Sequence, residues 1–269
     1  YLPILADQEG KVAAMAITEA GAGSDVASIA TRARLDGDSY VLSGTKSFIT
    51  NAGLAAFYVV VATADPARKH AGLNCFVVPG DAPGLSLGRT EDKVGLRASQ
   101  TGEIILDEVR IPSRNLVGRP GTGFLVTMQT LDVSRPWVAT CAVGLARAAY
   151  ETALSHARQR VQFGRPVFDN QAVSFALADM ATDIDAARLL AWRASFLVDS
   201  GAEFTKEGSM AKVFATEVAV KVCSQAMHLL GSSGYSREAP VEKYLRDAKA
   251  LPVLEGTSEI QRHIIAGEL

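Results

Sequence analysis

Apolar and polar positions change their period once along the chain, near residue 115. From Lys11 to Arg114 the apolar residues come in short runs rich in Val, Ile, Leu and aromatics. These are Val12 to Thr18, Ile29 to Leu35, Tyr40 to Ser43, Phe57 to Ala62, Asn74 to Pro79 and Glu103 to Leu106, and each reads as a strand. Turn chemistry separates them: Asp36-Gly37 with Asp38 and Ser39, then Asn51-Ala52-Gly53, then Pro83-Gly84. Short, regularly spaced strands of this kind predict an antiparallel β-barrel or sandwich. Ahead of them, Tyr1 to Ala6 reads as the tail of a helix.

From Gly121 onward the period becomes helical. Val173, Leu177, Met180, Ile184, Ala187 and Ala191 fall on one helix face, and Val213, Thr216, Val220, Cys223, Met227 and Leu230 fall on another. Gly201 and Gly231 stand where C-terminal caps are expected. Such stripes are core, and they predict an antiparallel four-helix-type bundle with at least four long helices. The expected class is therefore α+β, with a β domain over 1–115 followed by a helical bundle over 116–269.

Composition narrows the function. The chain has 269 residues, 27 Lys+Arg against 29 Asp+Glu and a formal net charge of -2, which disfavours a nucleic-acid binder. Cys75, Cys141 and Cys223 are odd in number and far apart, so neither a disulfide framework nor a zinc site is expected, and each reads as a buried thiol. No leader precedes the first strand and no apolar run nears membrane-spanning length, which points to a cytoplasmic protein.

Individual segments are ambiguous. Thr18-Glu19-Ala20-Gly21-Ala22-Gly23-Ser24-Asp25 contains Gly-x-Gly, but the third glycine of a dinucleotide fingerprint is missing and Val26 to Leu35 looks like another strand. A glycine turn between strands is the plainer reading. Lys46 to Gly53 reads as the close of a hairpin in which Phe48 is more naturally core than ligand contact. Asp132 and Arg135 lie one helical turn apart, where a solvated ion pair is usual. Arg158 and Arg160 precede Gly164 at a helix end, where basic residues satisfy the terminus. In Leu254-Glu255-Gly256-Thr257-Ser258-Glu259-Ile260-Gln261-Arg262, Thr257 or Ser258 can cap a helix with Glu255 just outside it.

Their joint order is more specific. Thr18-Glu19-x-Gly-x-Gly-Ser24-Asp25, Ile49-Thr50-Asn51, Arg160 with Phe163-Gly164, Gln171-Ala172, Leu245-Arg246-Asp247-Ala248 and Glu255 to Arg262 occur in sequence. From Ala14 to Leu269 the chain resembles the flavin-dependent acyl-CoA dehydrogenase family, without that family's usual N-terminal helical domain.

The resemblance implies FAD held between the β domain and the helical bundle, usually in a homotetramer. It places Ile17 and Thr18 along the isoalloxazine edge, Phe48 and Thr50 flanking the flavin, and Ser24 near the flavin or the acyl carrier. Arg160 and Phe163 match residues that reach the ADP half of a neighbouring subunit's FAD, and a guanidinium suits pyrophosphate. Thr257 and Glu259 match positions closing over that flavin. Asp132 and Arg135 match the mouth of the thioester pocket, with Leu254 and Gly256 beside the substrate. Glu255 matches the base that removes the α-proton, its own N–H and a flavin hydroxyl steadying the thioester oxygen.

Two departures stand out. His228 and Ser232 replace a Gln and part of a Gly-Gly pair at a flavin contact. Ser134 occupies the site where some relatives carry their base, and a hydroxyl cannot serve, so Glu255 is left in that role. The resemblance thus implies an acyl-CoA dehydrogenase acting on an acyl-CoA or acyl-carrier-protein thioester, with an electron-transfer flavoprotein as acceptor. An acyl-carrier-protein dehydrogenase, a flavin oxidase, or a non-catalytic subunit of a heteromeric dehydrogenase are the alternatives. The absent N-terminal domain is expected to be truncated or carried by a partner.

Overall fold

A computed structural model describes residues 1–6 and 10–269, which fall into two compact units. The first comprises Tyr1–Lys93 and Arg97–Thr130, and the second Val94–Leu96 and Leu131–Leu269. The short helix expected at the start is present as α1 (Leu2–Leu5).

The first unit is built on β1 (Ala13–Ala16), β2 (Arg32–Asp36), β3 (Ser39–Thr50), β4 (Phe57–Thr63), β5 (Leu73–Pro79), β6 (Leu85–Thr90), β7 (Thr101–Pro112) and β8 (Leu116–Val117). They form one sheet in the order β6-β7-β3-β2-β4-β5-β8, with β1 added beside β4. The eight strands make a single open sheet, and closure into a barrel does not occur. Nor is it wholly antiparallel: β1 runs parallel to β4, as does the single β2–β4 pair. Alternation puts Leu42, Val60, Phe76, Ile104 and Val109 into its main core.

Asp36-Gly37-Asp38-Ser39 makes the expected hairpin, with Leu35 opposite Tyr40 and Gly37 at φ 66°. The second expected hairpin does not form. The chain turns at Asn51–Leu54, but β3 takes β2 and β7 as partners and leaves β4 to β5. Val26–Ser28 is a 3₁₀ turn, so β2 starts three residues later than its apolar run. β6, whose residues are mostly exposed, has no apolar run to announce it.

Pairing between β3 and β7 slips twice, between Leu42 and Gly44 and between Lys46 and Ile49. At the first slip Gly44 has φ 153°, and a Cβ there would sit 2.6 Å from Thr31 Oγ1. At the second, Phe48 takes φ 57° and its ring leaves the core, 62% exposed. A bulge re-aims the extra residue in this way. The expectation of a core Phe48 is thereby corrected.

α2 (Gly123–Gln159), α3 (Gln171–Ser200) and α4 (Thr205–Leu229) are the long helices, and α5 (Ser232–Tyr235), α6 (Val241–Ala248) and α7 (Ser258–Gly267) are short. Among the described residues, three long helices replace the four or more expected. The α3 stripe buries Leu177, Met180, Ile184, Ala187 and Ala191 as read from the sequence, and Gly201 ends it in left-handed backbone at φ 70°. The second unit's core is alanine-rich, with Ala139, Ala142, Ala146, Ala149 and Ala153 all fully buried on α2.

Between α2 and α3 a hairpin of β9 (Val161–Gln162) and β10 (Arg165–Pro166) turns at Phe163-Gly164. Both turn residues have positive φ, 53° and 78°, the requirement of a two-residue type I′ turn. Among the thiols, Cys75 and Cys223 are buried as expected, but Cys141 is exposed on α2. Burial pushes the Cys223 thiol up to about 12. No helix is long and apolar enough to cross a membrane among the described residues.

Candidate active site

The loop joining α6 to α7 carries Glu255. Thr257 caps α7, its Oγ1 accepting from Ile260 N at 3.3 Å, so the chain enters the helix two residues after the carboxylate. Glu255 itself has φ 57°, a left-handed conformation that costs a non-glycine residue about 1 kcal/mol or more, and Gly256 follows at φ 92°. Something has to hold that backbone.

Two buried side chains do so. Lys212 on α4 is fully buried and donates from Nζ to Gly256 O at 2.7 Å and Pro252 O at 3.2 Å. Gln261 on α7, also fully buried, donates from Nε2 to Gly256 O at 3.1 Å and Glu255 O at 3.3 Å. Burial pushes the Lys212 ammonium down to about 8, partly opposed by the Glu255 carboxylate. The carboxylate in turn accepts from Ser134 Oγ of α2 at 2.8 Å.

Beside Ser134 on α2, Arg135 and Asp132 are ion-paired one turn apart. This pair is not solvated. Arg135 is 2% exposed, burial lowers its pKa, and it also donates to Ser209 Oγ at 3.4 Å, while Asp132 accepts from Thr205 Oγ1 at 3.1 Å. Pro136 follows, and as a proline it removes the N–H that would otherwise bond the carbonyl of residue 132. Leu254 and Gly256 are half-buried beside Glu255. The second unit therefore brings together Glu255, Leu254, Gly256 and Thr257, and joins to them Ser134, Lys212 and Gln261. None of those last three had been assigned a part in the site. Lys212 leaves a trace in the sequence: Ser209, Lys212 and Thr216 put polar groups on the buried face of α4 at helical spacing.

In the first unit, Glu19 is the centre of a buried polar knot. Its carboxylate accepts from Lys46 Nζ at 2.8 Å, Thr31 Oγ1 at 2.6 Å, Thr31 N at 3.0 Å and Ala30 N at 2.7 Å. Burial works against its ionisation, but these donors outweigh it and hold the carboxyl below the usual range. Lys46 is fully buried and burial pushes it down to about 8 against the pull of Glu19. Lys46 also donates to Ile17 O at 2.8 Å, and Thr18 O accepts from Ser47 N at 2.9 Å. The strand end bearing Ile17 and Thr18 is thus pinned to β3. Ser24, Phe48 and Thr50 are exposed on this unit.

The remaining expected contacts lie on the second unit's surface. Arg160 and Phe163 are exposed on the β9–β10 hairpin, Phe163 completely so. His228 lies in the last turn of α4, Ser232 starts α5 and Glu259 lies in the first turn of α7, all exposed. The chemistry of these groups suits FAD: an outward aromatic ring for a flat ring system, hydroxyls for its polar edge, and a guanidinium for pyrophosphate. Backbone strain points the same way. Seven non-glycine residues among those described have positive φ, and Phe48, Phe163 and Glu255 are three of them.

Residues 14–109 match the acyl-CoA dehydrogenase middle-domain model, and residues 121–269 match the acyl-CoA dehydrogenase C-terminal-domain model. The chain belongs to the acyl-CoA dehydrogenase family. It is 49% identical over 259 residues to the mitochondrial short-chain specific acyl-CoA dehydrogenase of Bos taurus, covering 96% of this chain and 63% of that protein. The chain thus spans somewhat under two thirds of that acyl-CoA dehydrogenase. Among solved structures, butyryl-CoA dehydrogenase from Megasphaera elsdenii aligns with a TM-score of 0.95 at 40% identity, over 96% of this chain and 68% of that one. A prolyl acyl carrier protein oxidase aligns with a TM-score of 0.96 at 33% identity, over 100% and 71%.

Proposed function

We propose that this protein is an FAD-dependent acyl-CoA dehydrogenase that desaturates a short acyl-CoA thioester between Cα and Cβ. The observation that carries the reading is Glu255. A carboxylate held on strained backbone, gripped by two buried side chains and oriented by a hydroxyl, is arranged as a positioned base. The preference for a short chain rests on 49% identity to a short-chain specific enzyme and on the butyryl-CoA dehydrogenase likeness.

In this reading Glu255 accepts the substrate's α-proton as the Cα–H bond breaks. Bound FAD supplies the acceptor for the β-hydrogen, which leaves as hydride, so the electron pair of the Cα–H bond becomes the new π bond. Phe48, Thr50, Ile17, Thr18 and Ser24 would hold the cofactor's ring end, His228 and Ser232 would add flavin contacts, and Thr257 and Glu259 would close over the flavin that Arg160 and Phe163 reach. At the pocket mouth beside Ser134, buried Arg135 and its partner Asp132 tie α2 to α4 through Ser209 and Thr205. An electron-transfer flavoprotein is the proposed electron acceptor.

Glu255→Gln keeps the shape and removes the base. Under anaerobic conditions with butyryl-CoA, substrate should still bind while flavin bleaching stops. A mutant that bleaches within about tenfold of wild type, a loss of only ~1.4 kcal/mol of transition-state stabilisation, would remove Glu255 from this role. The acyl-carrier-protein oxidase likeness favours a second reading, in which the acyl group arrives on a carrier protein and oxygen takes the electrons. Faster flavin reduction by carrier-bound than by CoA-bound acyl chains, followed by peroxide release in air, would select it.

Arg160 and Phe163 are proposed to serve the ADP half of FAD in a second copy of the chain, because both stand clear of their own unit. Arg160→Ala should then lose FAD on dilution together with oligomer mass in light scattering. A monomeric wild-type protein retaining one FAD per chain would contradict this.

A further inference from the structure

Ser134 reaches two acceptors with one proton. Its Oγ lies 2.8 Å from Glu255 Oε2 and 3.0 Å from Leu131 O, the carbonyl one turn back on its own helix. A hydroxyl has a single donor and two acceptor lone pairs, so it serves only one of these oxygens as donor at a time, and it can also accept. The position is half-buried, and Ser134 stands on a long helix that fixes its place.

We infer that Ser134 is a positioning residue for the base, its hydroxyl held on one carboxylate oxygen so that the other is aimed at the substrate. This rests on the reading of Glu255 as base. While Glu255 is a carboxylate, the Ser134 hydroxyl donates to Oε2 and leaves the other oxygen for the α-proton. Once that oxygen has taken the proton, Oε2 is the carbonyl oxygen of a neutral carboxyl and still accepts from Ser134. No proton leaves Ser134 and no covalent bond to it forms or breaks. Oε2 therefore keeps its donor before and after the transfer. Alanine at 134 lacks the hydroxyl, and threonine keeps it.

The test compares Ser134→Ala and Ser134→Thr with wild type and Glu255→Gln. In the FAD-loaded proteins with butyryl-CoA, Ser134→Ala should slow anaerobic flavin reduction by about tenfold to a hundredfold, the worth of one hydrogen bond to a charged group. Substrate affinity should stay within about twofold, because the missing bond is to the base and not to the ligand. Ser134→Thr should recover most of the rate. A second readout uses flavin-free protein. The infrared carboxylate band assigned to Glu255 by its loss in Glu255→Gln should shift in Ser134→Ala and return in Ser134→Thr. Wild-type rates in Ser134→Ala, a threonine variant no better than alanine, or an unmoved band would overturn the assignment. If Glu255→Gln is inert while Ser134→Ala is unimpaired, Ser134 alone is misassigned. If Glu255→Gln still reduces flavin, the base reading itself falls.

Discussion

Glu255 shows how much a single position owes to residues remote in sequence. Its place just ahead of α7 was legible from Glu-Gly-Thr-Ser-Glu-Ile-Gln-Arg, and so was the capping role of Thr257 beside it. Its support was not, because Lys212, Gln261 and Ser134 come from three different helices and share no local pattern with it. The buried lysine gives this support a pH signature. Lys212 titrates near its ordinary 10.5 when unfolded and near 8 when folded, so between those values the unfolded chain holds the extra proton. Stability linked to Lys212 therefore rises as pH climbs from 8 to 10.5, by at most about 1.4 kcal/mol per pH unit. Lys212→Met cannot show that rise. Urea unfolding followed by helical circular dichroism should give a wild-type advantage over the mutant that widens from pH 8 to pH 10. Lys46 titrates alike in both proteins and cancels. An advantage that is constant or shrinking would mean that Lys212 keeps its ordinary pKa in the fold.

Elements were legible where their period was clean. The α3 stripe, the β2–β3 turn and the cap at Gly201 follow directly from spacing and turn chemistry. Three features resisted for physical reasons. β6 is an edge strand with most of its residues exposed, so it lacks the apolar alternation that marks a strand. β3 continues through two bulges, which interrupt alternation at Gly44 and Phe48 and make one strand look like two pieces. Partner choice is a third. The Asn51–Leu54 turn resembles a hairpin turn, yet β3 pairs with β7 across more than fifty residues of chain, and local sequence does not encode such a pairing.

At the scale of the whole molecule, the described buried apolar residues form two clusters in the first unit and one in the second. Damage to one core should therefore stay in its own unit. Lys46→Met is a sharp probe, because it strands the Glu19 carboxylate in a buried place, a loss worth about 3–5 kcal/mol. Amide exchange should accelerate across β2, β3, β4 and β7 and remain unchanged in the centres of α3 and α4. Equal acceleration in α3 and α4 would show one cooperative unit instead. The β9–β10 hairpin carries a different consequence, one for protein engineering. A type I′ turn favours Asn or Gly at its first position, and Phe163 occupies it at φ 53° with its ring wholly in solvent. For the isolated chain this residue is a net loss of stability. A redesign scored on thermostability alone would replace it early with Asn, gain a little in melting temperature, and delete the side chain proposed to meet the cofactor of another copy.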